Sequence, residues 1–164
     1  MKRILPLSAL AAAALGLAAC GFTPIYGQTG EGAVGTKLSR ISISTPDDRL
    51  GFRLREQLED ALGRNGNQTA QWHLGTEVAQ SRIPLGRRID DTATRYQLTV
   101  SAKWTLTPVA GGEPITGEST TTTTYAAADQ PYAAIVAQQD GEDRAAADLA
   151  HLIRLDLMRA LGNH

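Results

Sequence analysis

From Tyr96 to Leu106 the chain alternates without a fault: Tyr96, Leu98, Val100, Ala102, Trp104 and Leu106 interleave with Gln97, Thr99, Ser101, Lys103 and Thr105. A period of two sends successive side chains to opposite faces, so the segment is a strand with one apolar and one polar face. A strand of this kind belongs in a sheet covered on one side only. Trp72, Leu74, Thr76 and Val78 alternate in the same way against Gln71, His73, Gly75 and Glu77, and Ile41 and Ile43 do so within Lys37–Ser44. The turn-rich run Pro108–Pro114 predicts that Ile115–Tyr125 returns antiparallel as a hairpin, and the threonines at 120–124 favour strand through β-branching.

Two segments have helical period. Leu50, Leu54, Leu58, Ala61 and Leu62 form one apolar stripe, with Arg53, Arg55, Glu56, Glu59 and Asp60 on the remaining surface. Thr45 is the expected N-cap, Pro46 the first helical residue and Asp48 a capping-box acid, with Gly63 and the Asn65–Asn67 run as the stop. The second helix opens at Gln130–Pro131 and carries Ala146, Leu149, Ala150, Ile153, Leu157, Ala160 and Leu161 on a wide apolar face, with Gly141 a candidate break. The expected order is β-α-β-β-β-α. The simplest architecture is an α+β domain whose mostly antiparallel four-stranded sheet has both helices on one face and a polar face left open.

The first residues have a different character. Lys2 and Arg3 precede an uncharged Ala- and Leu-rich stretch from Ile4 to Ala19, too short for a comfortable membrane span and built like a secretory signal peptide. It ends at Cys20, the only cysteine, so disulfides are excluded by count. Leu17-Ala18-Ala19-Cys20 matches a bacterial lipobox, in which the cysteine becomes the acylated N-terminus. Several acyl chains on one residue give stable anchoring, since each buried CH₂ contributes about 0.8 kcal/mol. Gly21 stands where an aspartate would, by analogy with enteric sorting, favour the inner membrane; the outer membrane is therefore the expected address. The expected organisation is a signal peptide at 1–19, a lipidated Gly-rich tether at 20–36 and one domain at 37–164. Phe22, Ile25 and Tyr26 are too apolar for a plain tether and are candidates for docking on the domain or a partner.

With 16 basic and 17 acidic side chains, the composition suggests no nucleic-acid partner. His73, His151 and His164 have no ligand spacing, so no metal site is expected. There is no nucleophile elbow and no phosphate loop. The acid pairs Asp47-Asp48, Asp90-Asp91 and Glu142-Asp143 are adjacent rather than facing, and the first and last fall at expected helix starts. An enzyme is not expected, nor any cofactor beyond the lipid on Cys20. One basic run stands out: Ser81–Arg88 places Arg82, Arg87 and Arg88 with Ile83 and Leu85 on the expected connection between the second and third strands, and Arg95 follows at the start of the long strand. Guanidinium pairs phosphate bidentately and aliphatic groups suit acyl chains, so this connection could contact an anionic amphiphile. The alternative is a solvated loop neutralised locally by Asp90 and Asp91.

The segment Cys20-Gly21-Phe22-Thr23-Pro24-Ile25-Tyr26-Gly27 resembles the LptE family of lipopolysaccharide-assembly lipoproteins in its alphaproteobacterial form. Asp91–Val100, with Arg95 leading the strand, and Asp148-Leu149-Ala150 in the last helix are similar to that family too. The resemblance implies two helices on a four-stranded sheet. It also implies a partner, the outer-membrane β-barrel LptD, which such proteins plug and help assemble while binding lipopolysaccharide. Basic contact residues of other members lie in divergent loops, so Arg82, Arg87, Arg88 and Arg95 rest on physical argument alone. Other readings are an accessory lipoprotein of the barrel-assembly machinery and a lipoprotein enzyme acting on envelope polymers.

Overall fold

The computed structural model describes residues 31–64, 66–87 and 93–162. The chain divides into 1–32 and 33–164, and the second unit holds every strand. The elements are α1 (Glu31–Leu38), β1 (Ile41–Ser44), α2 (Arg49–Ala61), β2 (Trp72–Arg87), β3 (Ala93–Pro108), β4 (Ile115–Ala126) and α3 (Pro131–Gly162). The strands lie in the order β1-β2-β3-β4; β1 runs parallel to β2, and the other pairs are antiparallel.

Burial follows the alternation. Ile41 and Ile43 of β1, Leu74 and Thr76 of β2, Leu98, Val100, Ala102, Trp104 and Leu106 of β3, and Ser119 and Tyr125 of β4 are buried, so one face of the sheet carries the core. Leu54 and Leu58 of α2 and Leu149, Ile153 and Leu157 of α3 close over it and have no exposed surface. Each such side chain contributes about 1.5 to 3 kcal/mol by leaving water.

An α+β fold with both long helices on one face is therefore present, with four differences from expectation. First, a third helix precedes the sheet. Lys37 and Leu38 belong to α1, not to a strand, and β1 is only the four residues Ile41–Ser44. Leu38 is buried in the core and Lys37 Nζ donates to the Leu161 carbonyl at the end of α3 (3.1 Å), which favours a helix whose last turn is basic. Second, the N-cap of α2 is Asp48, not Thr45: its backbone is extended and its Oδ1 accepts from the Gly51 N–H at 2.6 Å. Carboxylate caps stabilise by about 1 kcal/mol.

The third difference is the length of the central hairpin. β2 continues through Ser81–Arg87, and its partner β3 starts at Ala93, so the basic run expected on a loop lies mostly in a strand. Pro84 is tolerated because β2 is an edge strand at that point, and Gly86 adopts φ +63°. Fourth, α3 runs unbroken through Gly141. That residue is buried, and a methyl group there would lie 2.8 Å from Tyr125 Cδ1, so the glycine lets the helix approach β4 closely rather than breaking it.

Candidate functional site

The uncovered sheet face is assembled by register. Thr99, Ser101 and Thr105 of β3 stand opposite Thr122, Thr120 and Thr116 of β4, and the Thr99 and Thr122 hydroxyl oxygens are 3.3 Å apart. Of the threonines at 120–124, alternation gives 120, 122 and 124 to this face and turns 121 and 123 toward α3. Glu77, Lys103 and Glu118 make the one charged row across the three long strands. A broad open depression of about 900 Å³ lies here, lined by Thr45, Gly75, Glu77, Lys103 and Glu118 among others. Toward the hairpin end the rows change character, to Ile83–Gln97–Thr124 and then Leu85–Arg95–Ala126. A flat field of hydroxyls with aliphatic groups and one guanidinium at its edge suits contact with a hydrated polar surface.

Arg82 lies on the opposite face. Its side chain lies on the helix-covered side, where NH1 donates to the Tyr125 hydroxyl (3.3 Å) and to Gln138 Oε1 (3.1 Å), and its guanidinium carbon sits 4.9 Å from the Tyr96 ring centre. The Tyr96 and Tyr125 rings are 5.5 Å apart. The bond to Tyr125 raises the guanidinium pKa above its ordinary value, so Arg82 remains a cation at any physiological pH. Gln138 in turn donates to Glu142 Oε1 (2.9 Å), and Glu142 Oε2 accepts from Arg49 NH1 at 2.6 Å. Arg49 NH2 donates to Asp143 Oδ1 (3.0 Å), which also lies 3.4 Å from Arg53 Nε. A continuous polar chain thus joins the far hairpin to α3 and α2. The Glu142-Asp143 pair lies in the helix interior, not at a helix start, and the arginines of α2 account for it.

The structure accordingly separates the sequence candidates. Arg82 and Arg95 point to opposite faces of one hairpin, Arg87 ends β2, and Arg88 lies outside the described residues, as do Asp90, Asp91, Cys20, Phe22, Ile25 and Tyr26. Gln138 escaped sequence reasoning, and Glu142 was read only as part of an acid pair at a helix start, because helical period alone does not say which polar side chain is drawn against a neighbouring element. The signal available was Tyr96, which sits in the apolar register of β3 at the point where aliphatic residues give way to an aromatic. Among the described residues no group of His, Cys, Asp and Glu could hold a metal ion, and no helix among them is long and apolar enough to cross a membrane.

A mixed four-stranded sheet with two long helices on one face and a polar open face defines a small two-layer α+β domain. The chain belongs to the LptE family, whose profile, described as LptE: Lipopolysaccharide-assembly, matches residues 38–157. Among solved structures it is similar to a candidate lipoprotein from Caulobacter crescentus CB15, at 42% identity over 80% of this chain and 96% of that one, with a TM-score of 0.69. A minor lipoprotein from Acinetobacter baumannii shares the fold at 18% identity, covering 76% of this chain and 93% of that one, with a TM-score of 0.53. The rare lipoprotein B from Shewanella oneidensis aligns at 16% identity over 75% of this chain and 93% of that one, with a TM-score of 0.47. No curated protein matches the chain at a significant level.

Proposed function

We propose that this chain is the non-enzymatic lipoprotein subunit of the lipopolysaccharide translocon: anchored in the outer membrane by the lipid on Cys20, it plugs the LptD barrel, helps it assemble and binds lipopolysaccharide during insertion. The observation that carries the reading is the family match over 38–157, because it spans both the helix-covered core and most of the open hydroxyl face. That face supports the plug reading, since the interior of a large barrel is polar and hydrated and a Thr/Ser field with one charged row is compatible with it. Affinity purification from detergent-solubilised membranes tests it. The large translocon barrel is expected to come down with the chain; recovery of a barrel-assembly complex without it would replace this reading by the accessory-lipoprotein one. Mass spectrometry of the purified chain is expected to show a lipid-modified N-terminus at Cys20, and an unmodified thiol there would remove the anchor from the proposal.

Lipopolysaccharide phosphate is assigned in this proposal to the far hairpin, where Arg82 and Arg87 belong to β2 and Arg95 to β3, together with Arg88, next to Arg87 in the sequence. Replacing Arg82, Arg87 and Arg88 by glutamine is expected to weaken capture of lipopolysaccharide. Raising salt is expected to bring the unmodified chain toward the variant, because screening shortens from about 8 Å at physiological ionic strength. Equal capture by both chains at every salt concentration would leave the hairpin without this role.

A further inference from the structure

β2 is flanked on one side by β3 along its whole length, but on the other by β1 only from Trp72 to Gly75. Which backbone groups this leaves unpaired follows from three observations. The Trp72 N–H donates to the Arg40 carbonyl (3.3 Å) and the Trp72 carbonyl accepts from the Ser42 hydroxyl (3.2 Å), so both groups of Trp72 face the β1 side. The register against β3 runs without a slip from Trp72↔Pro108 to Pro84↔Tyr96. Alternate residues of a strand turn both backbone groups to the same side, so Val78, Gln80 and Arg82 present theirs away from β3. Pro84 falls in the same set, as it must, since its position cannot donate to the ladder. Among the described residues nothing bonds the outward groups of Val78, Gln80 and Arg82, and residues 79–84 are exposed.

A groove accompanies this edge. Cavities of about 350, 240 and 450 Å³ follow one another between β2 and the first turns of α3; all three are lined by Gln138, and the two largest also by Ile135. Ile135 is 55% exposed, and its neighbours on the helix, Tyr132 and Val136, are 79% and 46% exposed, which is unusual for three large apolar side chains on one helical stripe. Among the described residues the charges that line the groove are balanced with one exception. Arg49 is held by Glu142 and Asp143, Asp48 caps α2, and Asp129 has a partner of its own. Arg82 has hydroxyl, amide and ring contacts but no carboxylate.

We infer that the free edge of β2 at Val78, Gln80 and Arg82 is a docking site for an extended segment of a partner protein, added as a strand in line with β1, with aliphatic side chains toward Ile135 and a carboxylate on Arg82. Unpaired main-chain donors and acceptors supply the register, alternate side chains enter the groove, and the lone guanidinium selects an acidic residue. Pro84 ends the site by removing the next outward donor. This inference stands apart from the plug reading, which uses the open face; it shares Arg82 with the phosphate assignment above, and Gln80→Pro, which leaves Arg82 in place, tells the two apart.

The probe is the peptide acetyl-Thr-Val-Thr-Glu-Thr-Val-amide, whose Val, Glu and Val share one face, with its Glu→Lys counterpart as control, titrated against the purified full chain in mild detergent. The acidic peptide is expected to bind about tenfold more tightly than the lysine one, and Arg82→Gln to abolish that difference. Amide exchange is expected to slow at Val78, Gln80 and Arg82, while Glu77, Ala79 and Ser81, already turned to β3, are unchanged. Gln80→Pro removes one outward N–H at a position equivalent to Pro84, so it is expected to fold, as a melt would verify, and to lose the peptide while still capturing lipopolysaccharide. Equal binding of the two peptides, unchanged exchange at the three outward amides, or full binding by a folded Gln80→Pro chain would each overturn the inference. So would a concentration-dependent dimer in sedimentation that Gln80→Pro abolishes, since a second copy would then occupy the edge.

Discussion

At the end of the sheet where β1 pairs with β2, the helix-covered face is filled by aliphatic side chains with no exposed surface, among them Leu58, Leu74 and Leu106. At the hairpin end the same face is held by Arg82, Tyr96, Tyr125 and Gln138, with three large apolar residues of α3 left in solvent. The two ends differ because α2 and β1 stop short of the hairpin, so apolar area is no longer available and polar bridges take over. Bridges of this kind position side chains but contribute less stability than burial, and such regions open locally at lower cost. The rigid end therefore sets the fold, and the far end keeps its backbone edge and its cation accessible.

The sharpest way to break this comparison is at the rigid end. Leu58→Ala is expected to cost about 2 to 5 kcal/mol, as large-to-small changes in a closed core do, whereas the neighbouring Glu59→Ala should cost little. Urea melts of the two variants would show it; equal effects would mean that the stripe of α2 does not face the sheet. Glu142→Ala comes next, at about 1 to 3 kcal/mol, because a buried carboxylate that accepts from Arg49 and Gln138 is removed. Amide exchange should quicken in the first turns of α3 before it does around Leu149. If both regions loosened together, the two ends would be one cooperative unit.

A smaller loss of about 1 kcal/mol is expected for Gly141→Ala, where overpacking against Tyr125 is partly offset by the higher helix propensity of alanine. A stabilised variant would show that the Tyr125 ring can move aside freely. Arg82→Gln should cost still less, under about 1 kcal/mol in a melt, since the guanidinium is itself exposed over the half-buried Tyr96 ring. Amide exchange at Leu85 and Gln97 should nevertheless speed up; an unchanged rate there would show that Arg82 does not anchor this end of β2 and β3. Thr122→Val, on the open face, is expected to stay within about 0.5 kcal/mol, and a larger cost by melt would reveal that this face is structurally engaged.

The fold was legible wherever one strong period ran against one face. Leu54 and Leu58, or Val100 and Ala102, bury where their spacing says they must, because period and burial are two expressions of the same one-sided contact. What failed was punctuation. Pro84 and Gly86 look like a loop, yet a proline whose missing N–H faces away from the ladder costs a strand nothing, and only the stopping point of β1 makes β2 an edge there. Gly141 looks like a break, yet what decides its role is the Tyr125 ring brought against it from β4. The candidate site was legible as composition, in the threonine-rich open face and the arginines near 82–95, but not as geometry. Strand parity across a long hairpin separates Arg82 from Arg95, and only the packing of α3 brings Gln138 to Arg82. Local sequence fixes which groups a segment carries and with what period. Where a backbone edge goes unpaired, and which charge goes unanswered, depends on elements distant in the chain and was decided by the tertiary structure alone.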